Sequence, residues 1–167
     1  MESFKNIQLE NISENTFKLI GKDWMLITAG DKRNFNTMTA SWGGFGILWN
    51  KPVVFIFIRP QRYTYEFMEN SVDFTLSFFN DEYKDILKLC GTKSGREINK
   101  ISGIGLTPIE SHNTVAFSEA KLILSCKKLY FNDLIPENFI NCDIDKNYVL
   151  KDYHRMYIGE IAQCLSK

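Results

Sequence analysis

Histidine is scarce in this sequence, with His112 and His154 the only two in 167 residues. The four cysteines, Cys90, Cys126, Cys142 and Cys164, are scattered, and no C-x-x-C pair occurs. A zinc site framed by His and Cys therefore has no basis, and neither has a disulfide scaffold. Free thiols in a reducing cytoplasm are the simple reading, so a soluble cytoplasmic protein is expected. No apolar stretch approaches the roughly 20 residues of a membrane helix, and Met1-Glu2-Ser3-Phe4-Lys5-Asn6 carries no signal-like run. An excess of one charge is also missing, since twenty basic residues balance twenty acidic ones. Neither nucleic acid nor an anionic membrane is expected as a partner. Repeats, low-complexity tracts and Pro/Gly-rich linkers are absent, so residues 1–167 are expected to form one domain. There is no G-x-G-x-x-G after the first strand and no Walker spacing, which leaves a dinucleotide fold or a P-loop unsupported.

Aromatic side chains are plentiful, 14% of the chain with 13 Phe, 7 Tyr and 3 Trp. They favour β structure and flat, stackable surfaces. Trp24-Met25-Leu26-Ile27-Thr28 predicts a strand, with turn chemistry directly behind it at Ala29-Gly30-Asp31-Lys32. Phe35 to Trp42, rich in Thr and small residues, predicts a second strand pairing back on the first. Pro52 opens the apolar run Val53-Val54-Phe55-Ile56-Phe57-Ile58, which predicts a central strand buried on both faces. Thr64 predicts an N-cap with a short helix over 65–69. Phe74 to Phe79 returns to strand. A helix follows from Asn80 or Asp81 to Cys90, with Tyr83, Ile86, Leu87 and Cys90 on one face and Gly91 as its stop. Further strands are expected over 120–130 and 157–165. Six or more strands in pairs, without crossover helices, predict a mainly β barrel with a few short helices.

Three segments carry candidate chemistry. In the first, Thr37, Met38, Thr39, Ala40 and Ser41 form a strand edge of small and hydroxyl residues, and Trp42 and Trp49 lie close by in sequence. Such an edge suits a flat heteroaromatic plate such as a flavin, whose ring atoms seek backbone and hydroxyl partners. A plain edge strand ending in a glycine turn reads the same way. In the second, Ile58-Arg59-Pro60-Gln61-Arg62-Tyr63-Thr64 sets two guanidinium groups beside a helix start. That suits a phosphate dianion, although two solvated arginines around a turn would look alike. In the third, Gly91-Thr92-Lys93-Ser94-Gly95-Arg96 offers a hydroxyl and cations for a phosphate or for the pyrimidine edge of a flavin, or is a routine helix ending. His112 reads as surface, and His154 lies just before the last strand.

Taken together and in this order, these stretches resemble the flavin reductase-like, FMN-binding split-barrel family, most closely its flavoredoxin-type branch. The resemblance runs from about Trp24 to Ile161. It rests on Thr37-Met38-Thr39-Ala40-Ser41-Trp42-Gly43-Gly44-Phe45-Gly46, Ile58 to Thr64, Cys90 to Arg96, and Tyr153-His154-Arg155-Met156-Tyr157-Ile158-Gly159-Glu160-Ile161. It implies a Greek-key split β-barrel with a few short helices, forming a homodimer with flavin near the subunit interface. FMN, in preference to FAD, is the implied cofactor, with NADH, NADPH or a redox partner protein as electron donor. Residues 38–42 resemble the segment lining the isoalloxazine. Arg59, Arg62 and Thr64, with Tyr63 between them, resemble the phosphate turn, and Lys93 and Ser94 a second contact loop. His154, five residues before Gly159, matches a C-terminal histidine kept by many NAD(P)H-dependent members. Those members often have Gly-Asp before it, where this chain has Asp152-Tyr153. The implied activity is electron transfer through bound FMN, as an oxidoreductase or a carrier, and no acid–base pair is needed for it. The rival reading is a non-catalytic module holding another ligand, such as haem, in the barrel cleft.

Overall fold

Among the residues that the computed structural model describes, 3–100 and 102–167, ten strands fall into two sheets. Eight strands form one antiparallel sheet: β1 (Lys5–Asn6), β2 (Met25–Asp31), β3 (Asn34–Ala40), β4 (Gly43–Leu48), β5 (Lys51–Ile58), β6 (Asp73–Phe78), β9 (Leu122–Asp133) and β10 (Arg155–Ser166). The hairpin of β7 (Pro108–Ser111) and β8 (Thr114–Phe117) stands apart. Three α-helices decorate the sheet: α1 (Thr16–Lys18), which continues as a π turn over Leu19–Asp23, α2 (Tyr63–Asn70) and α3 (Lys84–Thr92).

The sheet order is β3-β2-β6-β9-β10-β5-β4, with β1 on the end of β10. Its two edges, β3 and β4, are consecutive in the chain and joined only through Ser41 and Trp42. Such a short link forces the sheet to roll until its edges approach without pairing. The result is the expected Greek-key split barrel, and the split exposes one edge of β3.

Both faces of the rolled sheet are covered, which explains why its apolar runs do not alternate with polar residues. Met25, Ile27, Val54, Ile56, Leu76 and Phe78 fill the interior, plugged by Met68 of α2. Leu26, Phe35 and Ile123 face outward under Leu87 and Cys90 of α3 and Phe117 of β8. Each such fully buried side chain contributes roughly 1.5–3 kcal/mol. Inside the outer layer Thr28 and Thr37 satisfy one another, their hydroxyls 2.9 Å apart. At Gly159, beside a register shift in β10, an added Cβ would lie 2.5 Å from Phe74 Cζ, so the core closes only over glycine.

Several expectations change. The run over 53–58 is not central, because β5 lies next to the edge strand β4. Its outward Phe55 and Phe57 are only half-buried. Residues 43–48, for which the sequence offers no strand and a glycine turn only as an alternative reading, form β4 against β5. Thr64 is not a cap: α2 starts at Tyr63, Arg62 is its N-cap, and Thr64 is fully buried with its hydroxyl engaged elsewhere. Gly91 lies inside α3, where a Cβ would rest 3.5 Å from Thr39 Cβ, and Lys93 closes the helix through N–H to Leu89 O at 2.9 Å. The four cysteines are free thiols, three of them buried. No helix among the described residues is long and apolar enough to cross a membrane.

Candidate functional site

The open edge of β3 borders two adjoining cavities. One, of about 180 Å³, is walled by Met38 to Trp42, Phe57, Arg59, Arg62 and His154. The next, of about 150 Å³, lies between the start of α2 and the end of α3, over Thr64, Lys93, Ser94 and Lys100. Met38 and Arg62 line both, so the two make one groove with an aromatic end and a cationic end.

At the aromatic end the half-exposed Trp42 ring lies 5.1 Å from the buried His154 ring, with Phe57 edge-on to His154 at 6.4 Å. His154 Nδ1 and the Tyr148 hydroxyl share a hydrogen bond of 2.9 Å. Burial, then the positive charges of Arg59 and Arg62, push the His154 pKa down to about 4, against an opposing pull from Asp152. The imidazole is therefore neutral at physiological pH.

Arg59 is held on this side. Its guanidinium donates to Asp152 Oδ2 at 2.7 Å and to Asn147 O at 2.9 Å, and lies 5.0 Å from the Tyr148 ring centre. Burial raises the Asp152 pKa, but hydrogen bonds from Arg59 and Gln61 outweigh it and hold the carboxyl below its usual range. The segment 134–153 is thereby latched against the aromatic end.

At the cationic end Arg62 Nη2 donates to Cys90 O at 3.3 Å. Lys100 Nζ donates to the same oxygen at 3.0 Å and to Thr37 O at 2.9 Å. Lys100 is only 3% exposed, and burial, the largest influence, lowers its pKa to about 8. Asn36 Nδ2 donates to the Thr64 hydroxyl at 2.7 Å, which fixes α2 to β3. Gly95 passes so close to Asn36 Oδ1 that any side chain there would overlap it. Ser94 Oγ accepts from Arg96 N at 3.2 Å, and Lys93 is exposed at the rim.

Most residues singled out from the sequence meet in this groove, sorted between its ends. Met38, Thr39, Ala40, Ser41, Trp42, Arg59 and His154 line the aromatic end; Tyr63, Thr64, Lys93 and Ser94 line the cationic end; Arg62 bridges them. Arg59 does not join Arg62 at the cationic end, because Asp152 and Asn147 hold its donors. Thr39 Oγ1 is held by Leu87 O at 2.5 Å. Thr37 is turned away: its hydroxyl bonds Thr28 and Ile27 O, and only its carbonyl reaches the groove side, taken by Lys100. Trp49 lies apart at the β4–β5 turn, 6.3 Å from the Tyr130 ring, and so does not wall this groove beside Trp42. His112 is exposed in the β7–β8 turn, as expected. Sequence reasoning missed Lys100, Phe57 and Tyr148. A larger cleft of about 460 Å³ lies elsewhere and shares only Tyr63 with the groove. Asp31, Glu66 and Asp73 make it unsuited to an anion.

The likeness to solved structures is one of fold. An FMN-binding protein from Thermus thermophilus with bound p-hydroxybenzaldehyde superposes with a TM-score of 0.70 at 16% identity, covering 98% of this chain and 82% of that one. Flavoredoxin of Desulfovibrio vulgaris (Miyazaki F) gives 0.67 at 20% identity, covering 98% and 77%. The styrene monooxygenase flavin reductase from Pseudomonas putida S12 gives 0.64 at 12% identity, covering 86% and 79%. No curated protein matches the sequence. The sequence profile described as "Flavin reductase like domain" matches residues 17–165, nearly the whole chain. An open β3 edge in a rolled sheet is thus a member's version of a shared architecture, and the chain belongs to the flavin reductase-like family.

Proposed function

We propose that the groove along β3 holds FMN and that the chain is a flavin-dependent oxidoreductase or electron carrier. The observation that carries this reading is the polarity of the groove, whose aromatic end suits a flat ring and whose cationic end suits a phosphate. The donor set fits the group, because the half-buried Arg62 and the buried Lys100 hydrogen-bond only to carbonyl oxygens among the described residues. FMN-binding proteins and flavoredoxins among the structural relatives support the same assignment.

When bound, FMN supplies the electron chemistry that no side chain in the groove possesses. The chain's own groups bind, orient and shield. The β3 edge offers backbone partners beside Met38 to Ser41, and Ser41 keeps a hydroxyl without a hydrogen-bond partner among the described residues. Trp42 and Phe57 stack against an aromatic plate and exclude water from it. Arg62, Lys93 and Ser94 gather about the anionic end. His154, neutral and held by Tyr148, orients a neighbour through a hydrogen bond without supplying charge. NADH or NADPH is the donor only if its ring can enter beside Trp42. A visible spectrum of the purified, FMN-reconstituted protein tests the assignment: flavin bands near about 370 and 450 nm support it. A colourless protein after desalting overturns it, and a Soret band would mark haem instead.

A further inference from the structure

We propose that Lys100 is a specificity-determining residue of the groove: buried itself, it forms with the half-buried Arg62 a doubly positive floor that holds the phosphate of FMN and sets a preference for FMN over riboflavin. This inference rests on the flavin reading above and names a residue outside every segment that the sequence singled out.

The argument begins with Cys90 O, in the last turn of α3. It accepts from both Arg62 Nη2 and Lys100 Nζ, so two cationic heads converge on one atom. Helix ends leave carbonyls unsatisfied and carry partial negative charge, so capping α3 is one role of the pair. That role does not balance them: about half an elementary charge at a helix C-terminus cannot offset two full ones. No carboxylate hydrogen-bonds either head among the described residues. Glu97, the one acidic side chain lining this cavity, is exposed and accepts from Ser94 N at 3.4 Å.

A buried ammonium and a half-buried guanidinium with no carboxylate hydrogen-bonded to either, and only the exposed Glu97 nearby, are costly, and an anion placed against them lowers the cost. A phosphate monoester carries close to two negative charges at neutral pH and has three acceptor oxygens, which match two cations in number and chemistry. Thr37 O and Cys90 O use two of the three Lys100 donors, which leaves one N–H for a ligand. The cavity is also lined by Ser94 and Lys93, which add further donors. Riboflavin has the same ring and lacks the dianion, so it isolates the contribution of this floor.

The test compares FMN and riboflavin binding to the purified full chain by quenching of flavin fluorescence, in wild type and in Lys100→Met. The variant is expected to lose about tenfold or more in FMN affinity while riboflavin affinity stays within about twofold. Riboflavin binding also reports that the fold survives. Equal loss for both ligands, or no loss for either, overturns the proposal. Should Lys100→Met fail to fold, the wild type gives a second readout in the ammonium pKa of Lys100, followed by NMR. The groups facing that ammonium are Arg62, Cys90 and Glu97. Its pKa, about 8 in the free protein, is expected to rise on loading FMN and to stay put on loading riboflavin. An unchanged value with FMN overturns the inference. A wild type that takes up riboflavin and FMN equally well overturns it while leaving the flavin reading intact, whereas one that takes up neither ends both.

Discussion

Folding moves His154 from water into a shell of Trp42, Phe57 and Tyr148, and the ring loses basicity there. In the unfolded chain it titrates near its ordinary value of about 6.5; folded, it titrates at about 4. Between those values the unfolded chain binds more protons, so stability rises with pH from about 4 to about 6.5 and is level above. The part lost once the pH is below both values is roughly 3 kcal/mol. Urea melts at about pH 5 and about pH 7.5 should show a larger acid loss for wild type than for His154→Gln; equal losses would refute it. Because the neutral ring carries no charge to the ligand, His154→Ala should leave FMN affinity nearly unchanged. Trp42 and Tyr148 crowd the same end, so bound FMN should bleach quickly with dithionite and slowly with NADH or NADPH. Fast stopped-flow bleaching by either nicotinamide would show that the face is open. Of the two arginines, Arg62→Ala should weaken FMN about ten- to a hundredfold with little change for riboflavin. Arg59→Ala should release the latch to Asp152 and affect both ligands alike. The sequence identified both arginines as phosphate candidates but not how they divide. The Asp152 partner lies 93 positions from Arg59 and is met only through the fold. Lys100 was hidden for the same reason, since its two carbonyl partners sit on β3 and α3.

The strands that were legible are those whose apolar residues are covered on both faces, such as β2 and β6, and the buried face of α3 was visible in its spacing. β4 was not legible, because Gly43, Gly44 and Gly46 weaken any strand signal. Pairing with β5 supplies the order that local propensity does not. The helix start at Tyr63 lies two residues before the expected one because Thr64 bonds Asn36 across the groove in place of its own helix. The same junction yields a prediction for the loop after α3. In Gly95→Ala the new methyl overlaps Asn36 Oδ1, so the loop must lift away from β3. Stability should fall by about 1–3 kcal/mol, and stabilisation of the thermal melt by added FMN should shrink. A variant that melts and responds like wild type would show that the loop adapts without moving Lys93 and Ser94.

Across the whole molecule, large apolar side chains remain in the open on the side of β4 and the long β9–β10 connection. Ile47 is 73% exposed, Val149 83% and Leu150 81%, with Trp49, Tyr130 and Phe131 about half exposed. Such a belt on a lone chain favours cover by a second copy. We therefore expect a homodimer, and a clean monomer mass by light scattering at micromolar concentration would count against it. The sheet order also bears on how the chain reaches this state. β10, formed by residues 155–166, is no border strand; it lies between β9 and β5 and also binds β1. Until it is in place, β5 and β4 pair with none of the remaining strands. Closure thus awaits contacts between distant parts of the sequence, which puts folding in the slow, millisecond-to-second class of non-local β topologies. During synthesis the earlier strands must wait with their edges unpaired, and that interval is when this polypeptide is most exposed to aggregation and most in need of a chaperone.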